Sequence, residues 1–600
     1  MTAKVIFSSP MAEVDLSHPE KLPLKVFREA VEARLEACSE QELRSILRSL
    51  AGRVRSSERL SFLQSLAHPL GPAGTRDSLH PDALLDDITD LTLALPEKAK
   101  EWDEGWHEAD DPGPYAELLE PLTSLFERAR EASERGQYPL AREAYRRLFS
   151  LLQYEDDRGM GPRAGHLGAV DLPEARARYL RAVYVTTPPE QRPQVMLDEL
   201  RRMRSVLPHA PRPLMREWLD ISSEPLPDSE SFLPAWVSLL SHQDGPDADA
   251  WLREAVRLSQ GSRGLRELAF AEPGRHPRAF VDLLAALERE GSPREVFSTA
   301  REALEVLPAG LPLRAAVASS LASAAERLGY LDAVRSACWE AFTAQPTLAR
   351  LLDLRDAVSS APERARVMLQ AARHLEDALR QPRRLSGSLV APAGDEDGLE
   401  TPARVDRRLL THAFLLAQEW EPAHQLAAKE STLGWTYGDN PQGIVVPCFL
   451  VLLSGQSPNA LPRNVARLWQ QALGTGTQAG DWYSGDTRQD EALQERLAHA
   501  YAEALPAFGL DPPERERMLE WCLEVARKRA STIVSRKHRR SYDKAAVLLA
   551  ACAEVLWLRG EEARGNVLLA GFREGFRHHR AFQAELDEVL GARPPASSPP

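Results

Sequence analysis

What this 600-residue chain lacks narrows the field first. No run approaches the roughly 20 consecutive apolar residues that a helix needs to cross a bilayer. The longest, from Ile444 to Leu453, contains Pro447, so no membrane span is expected. The N-terminal segment has one lysine and a short Val-Ile-Phe, without the longer apolar stretch and small-residue cleavage site of a secretory leader, and a cytoplasmic location is expected. Cys38, Cys338, Cys448, Cys522 and Cys552 are odd in number and never two or three residues apart. That rules out a disulfide framework or a paired-cysteine zinc site and reads as reduced core residues. Isoleucine and runs of β-branched residues are scarce, which leaves little material for sheet. An excess of positive charge is missing too: the formal net charge of −14 opposes general affinity for nucleic acid or anionic lipid.

Catalytic signatures are likewise absent. The glycine-rich stretches Asp156–Gly168 and Ala472–Asp486 lack the Gly-Lys-Ser/Thr with which a P-loop holds phosphate and magnesium, and read as connections between helices. There is no Gly-x-Ser-x-Gly elbow. Three groups (His107 with Glu108, Asp110 and Asp111; Asp395 with Glu396 and Asp397; His578 with His579) match no zinc or calcium spacing and read as solvated charge. The expectation is a chain with no catalytic residues, no cofactor and no metal.

What is present is helix-forming material. The apolar residues are mostly Leu and Ala and the charged ones largely Arg and Glu, all of which lose little on entering a helix. A single hydrophobic core stops growing at roughly 250 to 300 residues, so the chain must divide or stack repeats. Its composition suggests a helical module over 1–68, with a capping box opening at Ser39, and an acidic Pro/Gly-rich connector over 69–114 holding one short helix near Pro81 to Leu95. Helical repeats follow over 115–380, a linker over 381–405, a C-terminal helical domain over 406–592 and a disordered tail over 593–600.

The strongest signal is an internal repeat. Gly291 and Gly329 stand 38 residues apart, as do Pro308 and Pro346. In each unit an amphipathic helix is followed by glycine, a second helix of the same period and a helix-ending proline. After Gly291 come Val296, Ala300, Ala303 and Pro308; after Gly329 come Val334, Cys338, Ala341 and Pro346. A further copy carries Gly136, Tyr138, Ala141, Tyr145 and Leu148. This pattern resembles the tetratricopeptide family, in which a glycine between two helices is followed by small residues where the helices cross. The copies depart from that family in their longer spacing, their missing first-helix tryptophan and the separation of the third copy. The resemblance implies an all-α fold, an α-solenoid of irregular helical hairpins in two or three segments, with a groove that binds a protein or peptide and performs no reaction. Arg142, Arg146 and Arg147 are candidate groove residues in the first copy. The last unit, Ser541–Leu590, has a helix, Gly560 and another helix; its first half, with the preceding Ser535–Arg540, resembles the helical region that follows the zinc-binding SWIM module in some bacterial proteins, and the module's own cysteines and histidine are absent.

Two local features remain. The segment Ser431–Phe449 groups Trp435, Tyr437, Asp439 and Asn440 among three glycines, the makings of a pocket loop for a small molecule or nucleotide, or of a loop folded inward over the end of the solenoid. Between Glu524 and Asp543, Arg527, Lys528, Arg529, Arg536, Lys537, Arg539 and Arg540 run with His538 and no acid. Arg536, Lys537, Arg539 and Arg540 are candidates for contact with an acidic partner or an anion; the alternative is that they offset a helix dipole. Nucleic acid is disfavoured as their partner by the overall charge.

Overall fold

A computed structural model of the chain describes residues 38–39, 81–101, 113–157, 159–208, 210–380, 399, 402, 405–431, 433–435, 439–477 and 487–591. The expected module over 1–68, apart from Cys38 and Ser39, and the tail over 593–600 lie outside them. The chain divides into two compact units, the first ending at Gly264 and the second beginning at Leu265. The described residues contain helices and no strand.

The first unit contains α1 (Pro81–Glu101), α2 (Leu119–Glu134), α3 (Tyr138–Leu151), α4 (Leu172–Thr186), α5 (Arg192–Val206), α6 (Met215–Asp220) and α7 (Ser229–Leu240). The helix expected to end near Leu95 continues to Glu101 through Pro96. Helices α2 and α3 form a hairpin closed by Gly136 at φ 73°, where the Gln137 N–H donates to the Ala132 carbonyl at 2.9 Å. Such a left-handed position is cheap for glycine and satisfies carbonyls that a helix end would leave open. Phe126 of α2 meets Phe149 of α3 with ring centroids 5.7 Å apart, and Phe149 meets Tyr179 of α4 at 5.9 Å.

Helix α4 is buried on nearly every side although it carries Arg176, Arg178 and Arg181. Arg176 donates to the Pro211 carbonyl at 2.7 Å and to Glu217 at 2.8 Å. Arg181 donates to the carbonyls of Trp218, at 3.1 Å, and Glu224. Tyr184 and Arg192 both donate to the Pro227 carbonyl. The irregular chain around α6 cannot pair its own carbonyls in a ladder, and the many donors of a guanidinium supply the missing partners.

Helix α8 (Pro246–Ala271) is broken at Gly261, whose φ of 63° and ψ of −149° suit glycine alone, and the division between units falls just beyond. The second unit continues with α9 (Arg278–Arg289), α10 (Pro293–Val306), α11 (Arg314–Leu328), α12 (Leu331–Ala344), α13 (Leu348–Asp356), α14 (Ala361–Arg380), α15 (Arg407–Leu416), α16 (Trp420–Ala428) and α17 (Gln442–Ser454). Each packs on the next, the neighbour-on-neighbour order of a helical repeat. It ends in α18 (Arg463–Thr477), α19 (Thr487–Ala504), α20 (Pro512–Ser535), α21 (Tyr542–Leu558), α22 (Glu562–Gly575) and α23 (Arg580–Leu590). Here α21 is the axis, packed against α17, α18, α20, α22 and α23. Its run Ala-Ala-Val-Leu-Leu-Ala-Ala-Cys is apolar all round, which suits a helix surrounded by others. The apolar run at Ile444 serves the same purpose in α17.

The unit boundary does not fall at the 381–405 linker, because the helices flanking that linker pack on each other and share a neighbour. Arg355 of α13 donates to Glu503 of α19 at 2.6 Å, Arg364 of α14 reaches the same carboxylate at 2.7 Å, and Arg496 of α19 bridges Asp353 and Asp356 at 2.9 Å each. Cys338, Cys448, Cys522 and Cys552 are buried, and burial pushes their thiols up, Cys338 to about 11 and Cys552 to about 12. They are neutral core residues.

Candidate functional site

The repeat residues sit where helices cross. Gly291 and Gly329 take φ of 78° and 76° between α9 and α10 and between α11 and α12. Ala141, Tyr145, Ala300, Ala303, Cys338 and Ala341 are buried, whereas Tyr138 and Pro346 are half-buried and Pro308 is exposed. Small side chains at these crossings let the paired helices approach closely.

The first-copy arginines are bonded to neighbouring side chains, and Arg146 is exposed. Arg142 donates to Thr186 at 2.9 Å, Arg146 doubly to Glu143 at 2.7 and 2.8 Å, and Arg147 to Glu143 at 2.7 Å and to Thr89 of α1 at 3.0 Å. The Arg146 and Arg147 guanidiniums hold the Glu143 carboxyl down to about 2. Arg142 and Arg147 tie α3 to its neighbours α4 and α1, whereas Arg146 pairs within α3.

The loop before α17 turns inward. Trp435 is buried, its Nε1 donates to the Gln442 side chain at 3.3 Å, and the Arg529 guanidinium lies 4.2 Å from its ring centroid. The Asn440 amide donates to the carbonyls of Ser431 and Leu433 at 2.6 and 2.9 Å. Asp439 accepts from the Arg407 backbone N–H at 2.7 Å and from its Nε at 3.3 Å. Tyr437 lies outside the described residues. The cavity beside Trp435, lined also by Gly443, Leu468, Gln471, Ala472, Arg529 and Lys544, is about 40 Å³, room for water and not for a metabolite. The described polar groups expected to face a ligand are spent on fastening the loop to α15 and α17, because an irregular buried loop must satisfy its own backbone.

A larger concavity of about 550 Å³ opens between α16 and α20. His424, Pro513, Glu516, Arg517, Glu520, Trp521 and Glu524 line it. Its floor is an aromatic cluster: His424 and Trp521 meet edge to face at 4.8 Å, Phe449 lies 5.7 Å from Trp521, and Trp420 lies 6.3 Å from Phe449. The Arg517 guanidinium rests 5.6 Å from the Trp420 ring centroid. Trp420, His424 and Trp521 remain half-buried. Partial burial lowers the pKa of His424. Glu516, Glu520 and Glu524 recur every four residues along one face of α20 and form the acidic wall. Arg564 bridges Glu516 and Glu520, and Lys528 bonds Glu524.

No family model matches the chain and no curated protein matches it. Among solved structures it is similar to a circular tandem repeat protein with novel repeat topology and enhanced subunit contact surfaces. The identity is 14%, the match covers 85% of this chain and 95% of that one, and the TM-score is 0.14. A superposition that loose carries no weight for function. The C-terminal likeness to the region after the SWIM module gains no support from these comparisons.

Sequence reasoning missed the α16–α20 groove. The spacing of Glu516, Glu520 and Glu524 was legible as one helix face, but Trp420 and His424 stand about a hundred residues earlier, and no local pattern pairs them with Trp521. The basic run is exposed at Arg536, Lys537, Arg539 and Arg540. Arg529, by contrast, is buried, and burial lowers its pKa to about 10.

Proposed function

We propose that the chain is a non-catalytic helical-repeat scaffold that holds a protein partner in the groove between α16 and α20. The observation that carries this reading is a half-exposed aromatic floor, His424 and Trp521, with Trp420 packed beside His424, next to an acidic wall. Aromatic residues in a concave site supply most of the energy of a protein contact while the surrounding charges set orientation and choice of partner. The occupant suited to this chemistry is a segment with an apolar or aromatic anchor flanked by a basic residue. The basic group would lie over the rings as Arg517 already does over Trp420.

The test uses the full chain carrying a photo-crosslinking residue in place of the exposed Glu520, expressed in its native cells, with the same residue at exposed Arg366 of α14 as control. The expected result is one protein adduct from position 520, absent from position 366 and lost when Glu516 and Glu524 are changed to Lys. Adducts that are equal at both positions, or indifferent to the charge reversal, would reject the groove.

A further inference from the structure

We propose that one end of the C-terminal helical bundle, where the connection between α20 and α21 lies beside the connection between α22 and α23, is a docking site for a short acidic segment of a partner protein. The proposal does not depend on the groove reading. The first connection carries Arg536, Lys537, Arg539 and Arg540; the second carries Arg577 and Arg580, and all six are exposed. The fold brings them to the same end. Tyr542, at the start of α21, meets Phe582, in the first turn of α23, with ring centroids 5.9 Å apart, and Phe576 meets both Phe582 and His579. The short helical turn Arg539–Ser541 packs against both α20 and α21.

The turn itself presents the cations. Helix α20 ends at Arg536, Lys537 takes φ 56°, and the His538 N–H closes the helix on the Ile533 carbonyl at 3.1 Å. Glycine holds the equivalent position after α2, α9, α11 and α21, and Gln418 after α15. Here a lysine sits in a conformation that L residues adopt at a cost, with its side chain exposed. Among the described residues no ion pair engages Arg536, Lys537, Arg539, Arg540 or Arg580. Arg577 is 3.6 Å from Glu574, and Asp543, in the first turn of α21, is 3.9 Å from Arg467. The patch therefore keeps a local positive excess on a chain of net charge −14.

That contrast selects the occupant. A long polyanion would meet the repulsive field of the rest of the chain over its whole length, and a second copy would bring its own −14. A short acidic segment meets the local field alone. Five of the six cations are arginines, whose planar forks donate two parallel hydrogen bonds to a carboxylate, and half-buried Phe576 of the second connection offers an apolar contact.

The experiment measures fluorescence anisotropy of a labelled short poly-glutamate peptide with the full chain, against a poly-glutamine peptide of equal length. Saturable binding to the glutamate peptide at low salt, falling as salt rises, is expected. The triple variant Arg539→Ala, Arg540→Ala, Arg580→Ala should weaken it by about tenfold. A charge-matched variant at exposed positions elsewhere, Arg301→Ala, Arg366→Ala, Arg373→Ala, should leave it within about twofold. If the Ala variant does not fold, Arg539→Gln, Arg540→Gln, Arg580→Gln replaces it with the same expected loss, while the corresponding Lys variant of the three positions retains most of the affinity. Equal loss in the two Ala variants would overturn the proposal, because the whole-chain field would then explain the binding. Tighter binding of a single-stranded oligonucleotide of equal charge would assign the patch to nucleic acid, and a salt-sensitive dimer abolished by the triple variant would assign it to a second copy; either overturns it.

Discussion

His412 is the buried group whose titration should be felt most directly in the stability of the second unit. It lies on α15 with its Nδ1 2.8 Å from the Tyr501 hydroxyl of α19, and its Nε2 is buried with no hydrogen-bond partner. Burial, with a smaller push from the Arg408 guanidinium, lowers its pKa to about 3. In the unfolded chain the same imidazole titrates near 6.5. Below that pH the unfolded state binds a proton that the folded state refuses, so stability falls as the pH falls, from about 6.5 down to about 3. At about 1.4 kcal/mol per pH unit, the loss from this one residue between about pH 7.5 and pH 4.5 is on the order of 2–3 kcal/mol. His412→Asn keeps an acceptor near the Nδ1 position and removes the titration. It should be less stable than the wild type at neutral pH, because atoms are lost from a packed site, but its stability should fall less between the two pH values, by about 2–3 kcal/mol. Hydrogen exchange of the α15 and α19 amides, corrected for the intrinsic pH dependence of exchange, reads the local unfolding free energy without requiring both units to melt together. Parallel loss in wild type and variant would refute the reasoning, since a solvated or readily protonated His412 predicts no difference in slope.

Three further outcomes follow from the packing. Gly565 of α22 leaves no room for a side chain, since an added Cβ would lie 2.7 Å from Trp557 Nε1 and 3.3 Å from the Ala553 carbonyl oxygen; Gly565→Ala should destabilise by about 1–3 kcal/mol in thermal melting. At the start of α20, Asp511 and Glu514 cap each other's backbone N–H groups at 2.7 and 2.8 Å, so Asp511→Ala should cost about 1 kcal/mol in urea denaturation, with early exchange of the first α20 amides. Lys537→Gly relieves a left-handed residue and should raise stability by up to about 1 kcal/mol while lowering affinity for the acidic peptide, a trade of stability against binding that melting and anisotropy on one sample would reveal.

Composition and local pattern determined the helical class, because Leu, Ala, Arg and Glu favour helix wherever they stand in the chain. They also determined the hairpin turns: Gly136, Gly291, Gly329 and Gly560 all take positive φ between paired helices, as a glycine after an amphipathic run announces. The burial of Ala141, Ala300, Ala303 and Ala341 follows from the same local spacing. Tertiary structure decided the rest. Arg176 and Arg181 lie inside because carbonyls of a distant irregular segment need donors. Trp435, Asp439 and Asn440 could have faced a ligand, and only the positions of Arg407, Gln442 and Arg529 turned them inward. The groove and the basic end both join residues brought together from different helices, His424 with Trp521 and Tyr542 with Phe582. Helical periodicity places a side chain on a face, but which faces meet is settled by packing among helices remote in sequence.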